Sequence, residues 1–264
     1  MVSIKQVINS IEKFAPLELA ESFDNCGLKI GNLDEEVTGV LITVDTNVDV
    51  VNEAYEKGCN LIIEHHPSIW TPLKSIDVNL PLNKALIEAA QKNIAIYSAH
   101  TNVDYTVGGL NDHVAEKIGL KDVKCVSGYS SARIGSIDDV VTIKEYARKL
   151  STLFNDDNIS IVGDLNKKIS KVAVINGGGG GHSDFIIDAF NSGADVFVTA
   201  EVKHSVARLA KDLNYVIIQV GHFSSEKDFL PLIKQVLNKV FSTLNVSLAE
   251  KIDSPYNRRD AIWN

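Results

Sequence analysis

Short apolar runs of strand length alternate along this chain with stretches of helical periodicity, and several of these runs end in residues capable of chemistry. Val40–Asp45 is a continuous apolar run, and Asn47 to Lys57 after it reads as a helix closed by Gly58 at the C-cap position. Leu61–Ile63 is a second run, leading into Glu64-His65-His66-Pro67. Lys84–Lys92 reads as a helix and Ile94–Tyr97 as a strand, followed by His100-Thr101-Asn102-Val103-Asp104. The order then recurs. Val172–Ile175 is a strand, Ser183 to Asn191 a helix closing at Gly193, and Val196–Val198 a strand ending in Thr199-Ala200-Glu201. Ser205–Leu213 is a helix and Val216–Val220 a strand, running into Gly221-His222-Phe223-Ser224-Ser225-Glu226. Strands that alternate with helices predict the α/β class, with parallel sheets covered by helices. Before all this, Ile4, Val7, Ile8, Ile11 and Phe14 mark a helix that Pro16 stops.

At 264 residues the chain exceeds one minimal domain. Residues 56–66 align with 191–201 at an offset of 135, and 94–104 with 216–226 at an offset of 122. His100 then falls on His222 and Asp104 on Glu226. The expectation is two similar α/β lobes from an internal duplication, with lobe one about 1–125 and lobe two about 171–264. Between them, 126–170 forms a short connecting unit: a strand at 132–137, a helix capped by Thr142 with Glu145 and running through Leu153, and a strand at 159–162. No low-complexity linker separates the parts, so 1–264 is expected to pack as one body.

Composition excludes several classes. A net charge of −8 repels nucleic acid and anionic membrane, so neither is an expected partner. Three cysteines, Cys26, Cys59 and Cys125, lie 33 and 66 residues apart, which rules out a disulfide framework and any CxxC site. No apolar run approaches the roughly 18 residues of a membrane span. The start does not read as a signal peptide, because charge interrupts its apolar residues. The expected compartment is cytoplasmic.

Chemistry gathers at the strand ends. His65, His66, His100 and His222 directly follow predicted strands, and in parallel α/β folds those ends face the crevice where ligands bind. Asp104 and Glu226 follow two of them by four residues. Any one of these histidines alone would be read as an ordinary surface or core side chain. Four at strand ends, two with a carboxylate at the fourth position, point instead to nitrogen and oxygen ligands for zinc, manganese, iron or nickel. Neighbours on an extended strand point to opposite faces and do not readily chelate one ion, but at a strand end His65 and His66 can each serve a different ion of a close pair. A pair of ions about 3.5–4 Å apart suits water activation and hydrolysis. His113 and His182 lack such placement, and His204 is left unassigned.

The run Gly177–Gly181 reads as a tight strand-to-helix turn, since it matches neither common nucleotide-binding glycine pattern. Cys26 is expected to be a buried small apolar group rather than a nucleophile, and the Arg258-Arg259 pair a solvated tail.

Taken in order, Phe23-Asp24-Asn25-Cys26-Gly27-Leu28, Glu64-His65-His66-Pro67, His100 to Asp104, Gly108-Gly109-Leu110-Asn111-Asp112 and Gly221-His222 to Glu226 resemble the NIF-three-like family (NGG-one-interacting factor three). Its members are often labelled GTP cyclohydrolase I type 2 homologues. Ala132-Arg133-Ile134-Gly135 and Gly193-Ala194-Asp195 to Thr199 also resemble family stretches, so the likeness spans residues 4 to about 262. It implies a cytoplasmic, two-lobed α/β protein of the short form, with a dinuclear metal site between the lobes and assembly into a homohexamer built from dimers. The resemblance implies His65, His66, Asp104, His222 and Glu226 as ligands of two divalent ions, zinc, iron, manganese or nickel. Glu226 would bridge, with His65 and His222 on one ion and His66 and Asp104 on the other. His100 would then be the acid/base candidate. The glycine run and Ala200 depart from the family pattern and bear on substrate contact.

The leading expectation is therefore a metal-dependent hydrolase acting on a nucleotide-like or phosphate-bearing small molecule, in the manner of a GTP cyclohydrolase. The competing one is a metal-binding adaptor or metallochaperone whose output is protein contact. An open coordination position facing a pocket would separate them.

Overall fold

The computed structural model describes residues 2–126 and 132–256, so Arg258-Arg259 lies outside the described residues. The chain divides into two compact units: residues 1–106 with 228–253, and 107–227 with 254–264.

The first unit opens with α1 (Ile4–Phe14), held at its start by a capping box between Ser3 and Gln6. It buries Ile4, Val7, Ile8 and Ile11 and stops before Pro16. There follow β1 (Gly27–Ile30), β2 (Val40–Thr43), α2 (Val48–Glu56), β3 (Leu61–Glu64), α3 (Pro81–Gln91), β4 (Ala95–Ser98) and α4 (Thr101–Tyr105). Proline at the first position lets α3 begin a turn earlier than periodicity suggests, since its missing N–H is one the helix would not use.

The second unit contains α5 (Leu110–Lys117), β5 (Lys121–Cys125), β6 (Arg133–Thr142), α6 (Ile143–Phe154), β7 (Ser160–Val162), β8 (Lys168–Val174), α7 (Ser183–Asn191), β9 (Val196–Thr199), α8 (His204–Asp212), β10 (Val216–Gln219) and α9 (His222–Glu226). The Thr142–Glu145 capping box forms as expected. The chain then re-enters the first unit with α10 (Phe229–Val240) and β11 (Val246–Leu248).

Each unit is built on its own sheet. The first has the order β1-β4-β3-β2-β11, parallel except for β1. The second has the order β5-β6-β8-β9-β10-β7, with β8, β9 and β10 parallel and the other three antiparallel to their neighbours. A mixed α/β fold with two sheets is therefore established. Both sheets contain three parallel strands in sequential order, flanked on the third by an antiparallel edge strand. α2 and α7, and β3 and β9, correspond at the same offset of 135 read from the sequence.

The units follow different lines from the expected lobes. β6, α6 and β7, read from the sequence as a connector, supply structure to the second unit, because β6 pairs with β8 and β7 with β10. Residues 228–253 belong to the first unit, because β11 pairs with β2.

A buried carboxylate fastens that returning segment. Glu53 on α2 accepts from the backbone N–H of Glu250 (2.9 Å) and Lys251 (2.9 Å), while the Lys57 ammonium lies 2.6 Å away. Burial pushes the Glu53 carboxyl upward, but these donors outweigh it and hold it below its ordinary value of 4.5. The stabilisation is thus present above that value and lost as pH falls through the depressed one. Glu53→Gln is expected to cost the first unit about 2 kcal/mol at pH 7 and progressively less below pH 4.5. Urea unfolding of both proteins at several pH values checks this; a cost independent of pH would refute it.

Candidate metal centre

Parallel pairing sets Glu64 opposite Ser98, so β3 and β4 end at one edge of the first sheet. His65 and His66 leave β3 there. Their amides donate to Val44 O at 3.1 and 3.0 Å, and Ala99 N donates to Glu64 O at 2.9 Å. His100 follows β4 at the N-cap of α4, and Asp104 lies one helical turn further on. Beneath them Glu64 is fully buried and accepts from Ser98 Oγ (2.6 Å) and Ser68 N (2.7 Å). Burial raises the Glu64 carboxyl despite those donors.

Three imidazoles meet at this edge. Ring centroids lie 5.1 Å apart for His65 and His66, 5.0 Å for His65 and His100, and 5.5 Å for His66 and His100. One potential ligand atom from each lies within 4.8 Å of the others. Asp104 Oδ1 is 3.8 Å from His65 Nε2. Because His65 and His66 sit just past the strand, the alternation that would part them no longer applies.

Each ring is oriented through Nδ1. His65 Nδ1 donates to Ala99 O at 3.0 Å; a carbonyl oxygen only accepts, which fixes the proton on Nδ1 and turns the Nε2 lone pair outward. His66 Nδ1 is 2.8 Å from Asp45 Oδ1, and His100 Nδ1 is 3.0 Å from Asp24 Oδ2. Burial would raise the Asp24 carboxyl, but hydrogen bonds from His100, Thr101 and Cys26 hold it well below the usual carboxylate range. Burial and the neighbouring Asp24 push the Cys26 thiol up to about 12, so it stays protonated and is no nucleophile at neutral pH.

In the second unit, α9 carries His222 and Glu226 on one face, with Nε2 and Oε2 2.8 Å apart. His222 Nδ1 meets Glu201 Oε1, also at 2.8 Å. A singly protonated imidazole has one N–H for these two carboxylates. The donor chemistry of this pair, and of the three-imidazole group, fits a divalent ion of the borderline class.

The glycine run explains itself here. Residues 177–181 form a short 3-10 helix packed on α9. At Gly177 the backbone has φ +55°, and a Cβ would overlap Glu226 Oε1 and come within 3.4 Å of His222 Nε2. The expected tight turn is thus also a close approach of backbone to the two candidate ligands.

The chain matches the family described as Duf34/NIF3 (NGG1p interacting factor 3) over residues 2–255. It belongs to the NIF3 family. A Clostridium acetobutylicum relative called a GTP cyclohydrolase 1 type 2 homolog is 34 % identical over 232 residues, 85 % of each chain. A Clostridium perfringens relative of the same description is 33 % identical over 252 residues, 92 % of this chain and 93 % of that one. Among solved structures, a Bacillus cereus protein related to NIF3 superposes with a TM-score of 0.89 over 97 % of this chain and 99 % of that one; at 24 % identity it bears on the fold.

In this NIF3 chain the structure gathers His65, His66, His100 and Asp104 in one unit, and His222 with Glu226 in the other. His113, His182 and His204 take no part in the first-unit histidine group; His182 caps α7 and packs on Phe185, ring centroids 5.8 Å apart. Sequence reasoning missed the acceptors Asp24, Asp45 and Glu201. The signal was present, since Asp45 and Glu201 also follow strands and Asp24 lies in the quoted turn. Gly177→Ala should lower metal content per chain while circular dichroism stays native, because the added methyl displaces Glu226. Full metal content in that variant would show the close approach to be incidental.

Proposed function

We propose that this NIF3 protein is a metal-dependent hydrolase with a dinuclear centre. Glu226 would bridge the two ions, with His65 and His222 holding one and His66 and Asp104 the other. The observation that carries the reading is the orientation of three neighbouring imidazoles through Nδ1, His66 and His100 by carboxylates and His65 by a backbone carbonyl. That is the outer-shell pattern of metal-ligating histidine. Bound there, two divalent ions supply an activated water and a positive field for charge developing on the substrate.

The chain's own contribution is positional. Asp24 keeps the His100 Nδ1 proton in place, so His100 meets a substrate through Nε2 and moves a proton there. Ala99 O and Asp45 keep His65 and His66 from rotating. The substrate class is a nucleotide-like or phosphate-bearing small molecule, and the names of the clostridial relatives favour ring opening of a purine by water. A metal-binding adaptor is the second reading, favoured by the exposed apolar run of Leu73, Ile76, Val78 and Leu80. An uncovered run of this kind suits protein contact.

Plasma mass spectrometry on untagged protein purified without chelator should find about two transition-metal ions per chain. Glu226→Ala should lose at least one with the fold intact, and His113→Ala should lose none. Unchanged stoichiometry in Glu226→Ala sinks the bridging role, and a metal-free wild type that regains nothing from zinc, manganese or iron sinks the hydrolase. We further propose a homohexamer, a trimer of dimers, supported by the family resemblance and that same apolar run. Light scattering on the eluting protein should give six chains; a monomer across the micromolar range would refute it.

A further inference from the structure

Two large aromatic rings stand beside the histidine group with much of their surface uncovered. Phe23 is 59 % exposed and Trp70 47 %. Their centroids are 6.1 Å apart with the planes tilted by 48°. Trp70 also meets His100 nearly perpendicular, at 5.6 Å and 77°. Trp70 therefore touches Phe23 and the imidazole, and almost half of it still faces outward.

Neither ring is loosely hung. Asp24, next to Phe23, accepts from His100 Nδ1 and, at 3.1 Å, from the amide of Thr101. Asn25 Nδ2 donates to the carbonyl of Ile69, the residue before Trp70, at 2.5 Å. Lys29 Nζ donates to the carbonyls of Asn25 and Cys26 and closes the turn. Ile69 itself packs on the first unit's core. The turn whose Asp24 orients His100 is thus tied through Asn25 to the segment that carries Trp70. Aromatic side chains have few rotatable bonds and give up little entropy when they engage a partner, and their faces suit a flat one.

We propose that Phe23 and Trp70 form the receiving face for a planar heteroaromatic ring of nucleobase type, held beside His100. This rests on the hydrolase reading above and names the ring, rather than the sugar or phosphate, as the part of the substrate that is gripped. Stacking on such a face is indifferent to the edge pattern of the ring. Choice among rings then falls to the polar groups around His100, while the aromatic pair supplies affinity.

Trp70 and Trp263 are the two tryptophans of the chain, so Trp263→Phe leaves Trp70 as the only indole emitter. Titrating that full-length, metal-loaded protein with guanosine monophosphate should quench Trp70 saturably, and ribose 5-phosphate should not. Adding Phe23→Ala should weaken the guanosine monophosphate titration about tenfold or more, and Phe23→Tyr should restore it. Quenching that is absent, equal with ribose 5-phosphate, or unchanged by Phe23→Ala in a natively folded variant overturns the proposal. So does Trp70 emission that shifts with protein concentration, which would mean a second copy covers the face. Metal content is measured on the same samples, with and without chelator. Lost ring binding at full metal content defeats this proposal alone, whereas ring binding in a chain that never takes up metal defeats the hydrolase reading alone.

Discussion

The end of β3 is the point on which the histidine edge depends. Glu64 is the last residue of that strand, fully buried, and its carboxyl group is gripped by Ser98 of the neighbouring strand and by the amide of Ser68 in the following loop. One side chain therefore fixes the register of β3 against β4 and the path of the chain after Pro67. His65, His66 and His100 take their positions from those two settings. A buried carboxyl is expensive to desolvate, and its hydrogen bonds offset that cost only if the geometry is kept. Any drift of β3 against β4 would take both donors from Oε1 of that acid, so the cost of moving the histidines is charged to a residue one position away from them.

Much of the architecture was legible because period and punctuation agree. α7 occupies the span that helical spacing predicts, Ser183–Asn191, and α1 stops where Pro16 requires. The strand ends carrying histidine were legible for the same reason, since the apolar run Leu61–Ile63 followed by Glu64 and His-His leaves few other readings. α10 and β11 went unread, although α10 buries Phe229, Leu230, Leu232, Ile233 and Leu237. The returning segment escaped on that account, since nothing local in residues 228–253 says that β11 pairs with a strand two hundred positions earlier. The acceptors behind the imidazoles escaped for a similar reason. Asp24 reaches His100 across 76 residues, and Asp45 reaches His66 across 21. A carboxylate at a strand end has no periodicity to distinguish it from a solvated one.

The two departures from the family pattern have different physical standing. In the glycine run, Gly177 is required by how closely backbone approaches Glu226 and His222, while Gly179 and Gly180 pack tightly on Ile175 and on the carbonyl of Ala200. Ala200 precedes Glu201, which adopts φ +51° and reaches His222. A left-handed conformation is costly for a residue with a Cβ, and at Glu201 it accompanies a carboxylate that meets imidazole nitrogen. Side-chain chemistry and backbone strain coincide at that one residue.

The return of the chain to its first unit sets an order on synthesis. Residues 107–227 leave the ribosome before 228–253, so the second sheet has all its strands while the first still lacks β11. Until β11 arrives, β2 is an edge: three apolar residues and Thr43, all buried in the finished fold, with one row of backbone donors and acceptors open to any passing strand. The nascent protein thus carries its most adhesive segment uncovered for the time taken to translate more than two hundred residues. During its making the chain carries a second sheet with all its strands beside a first sheet still missing one.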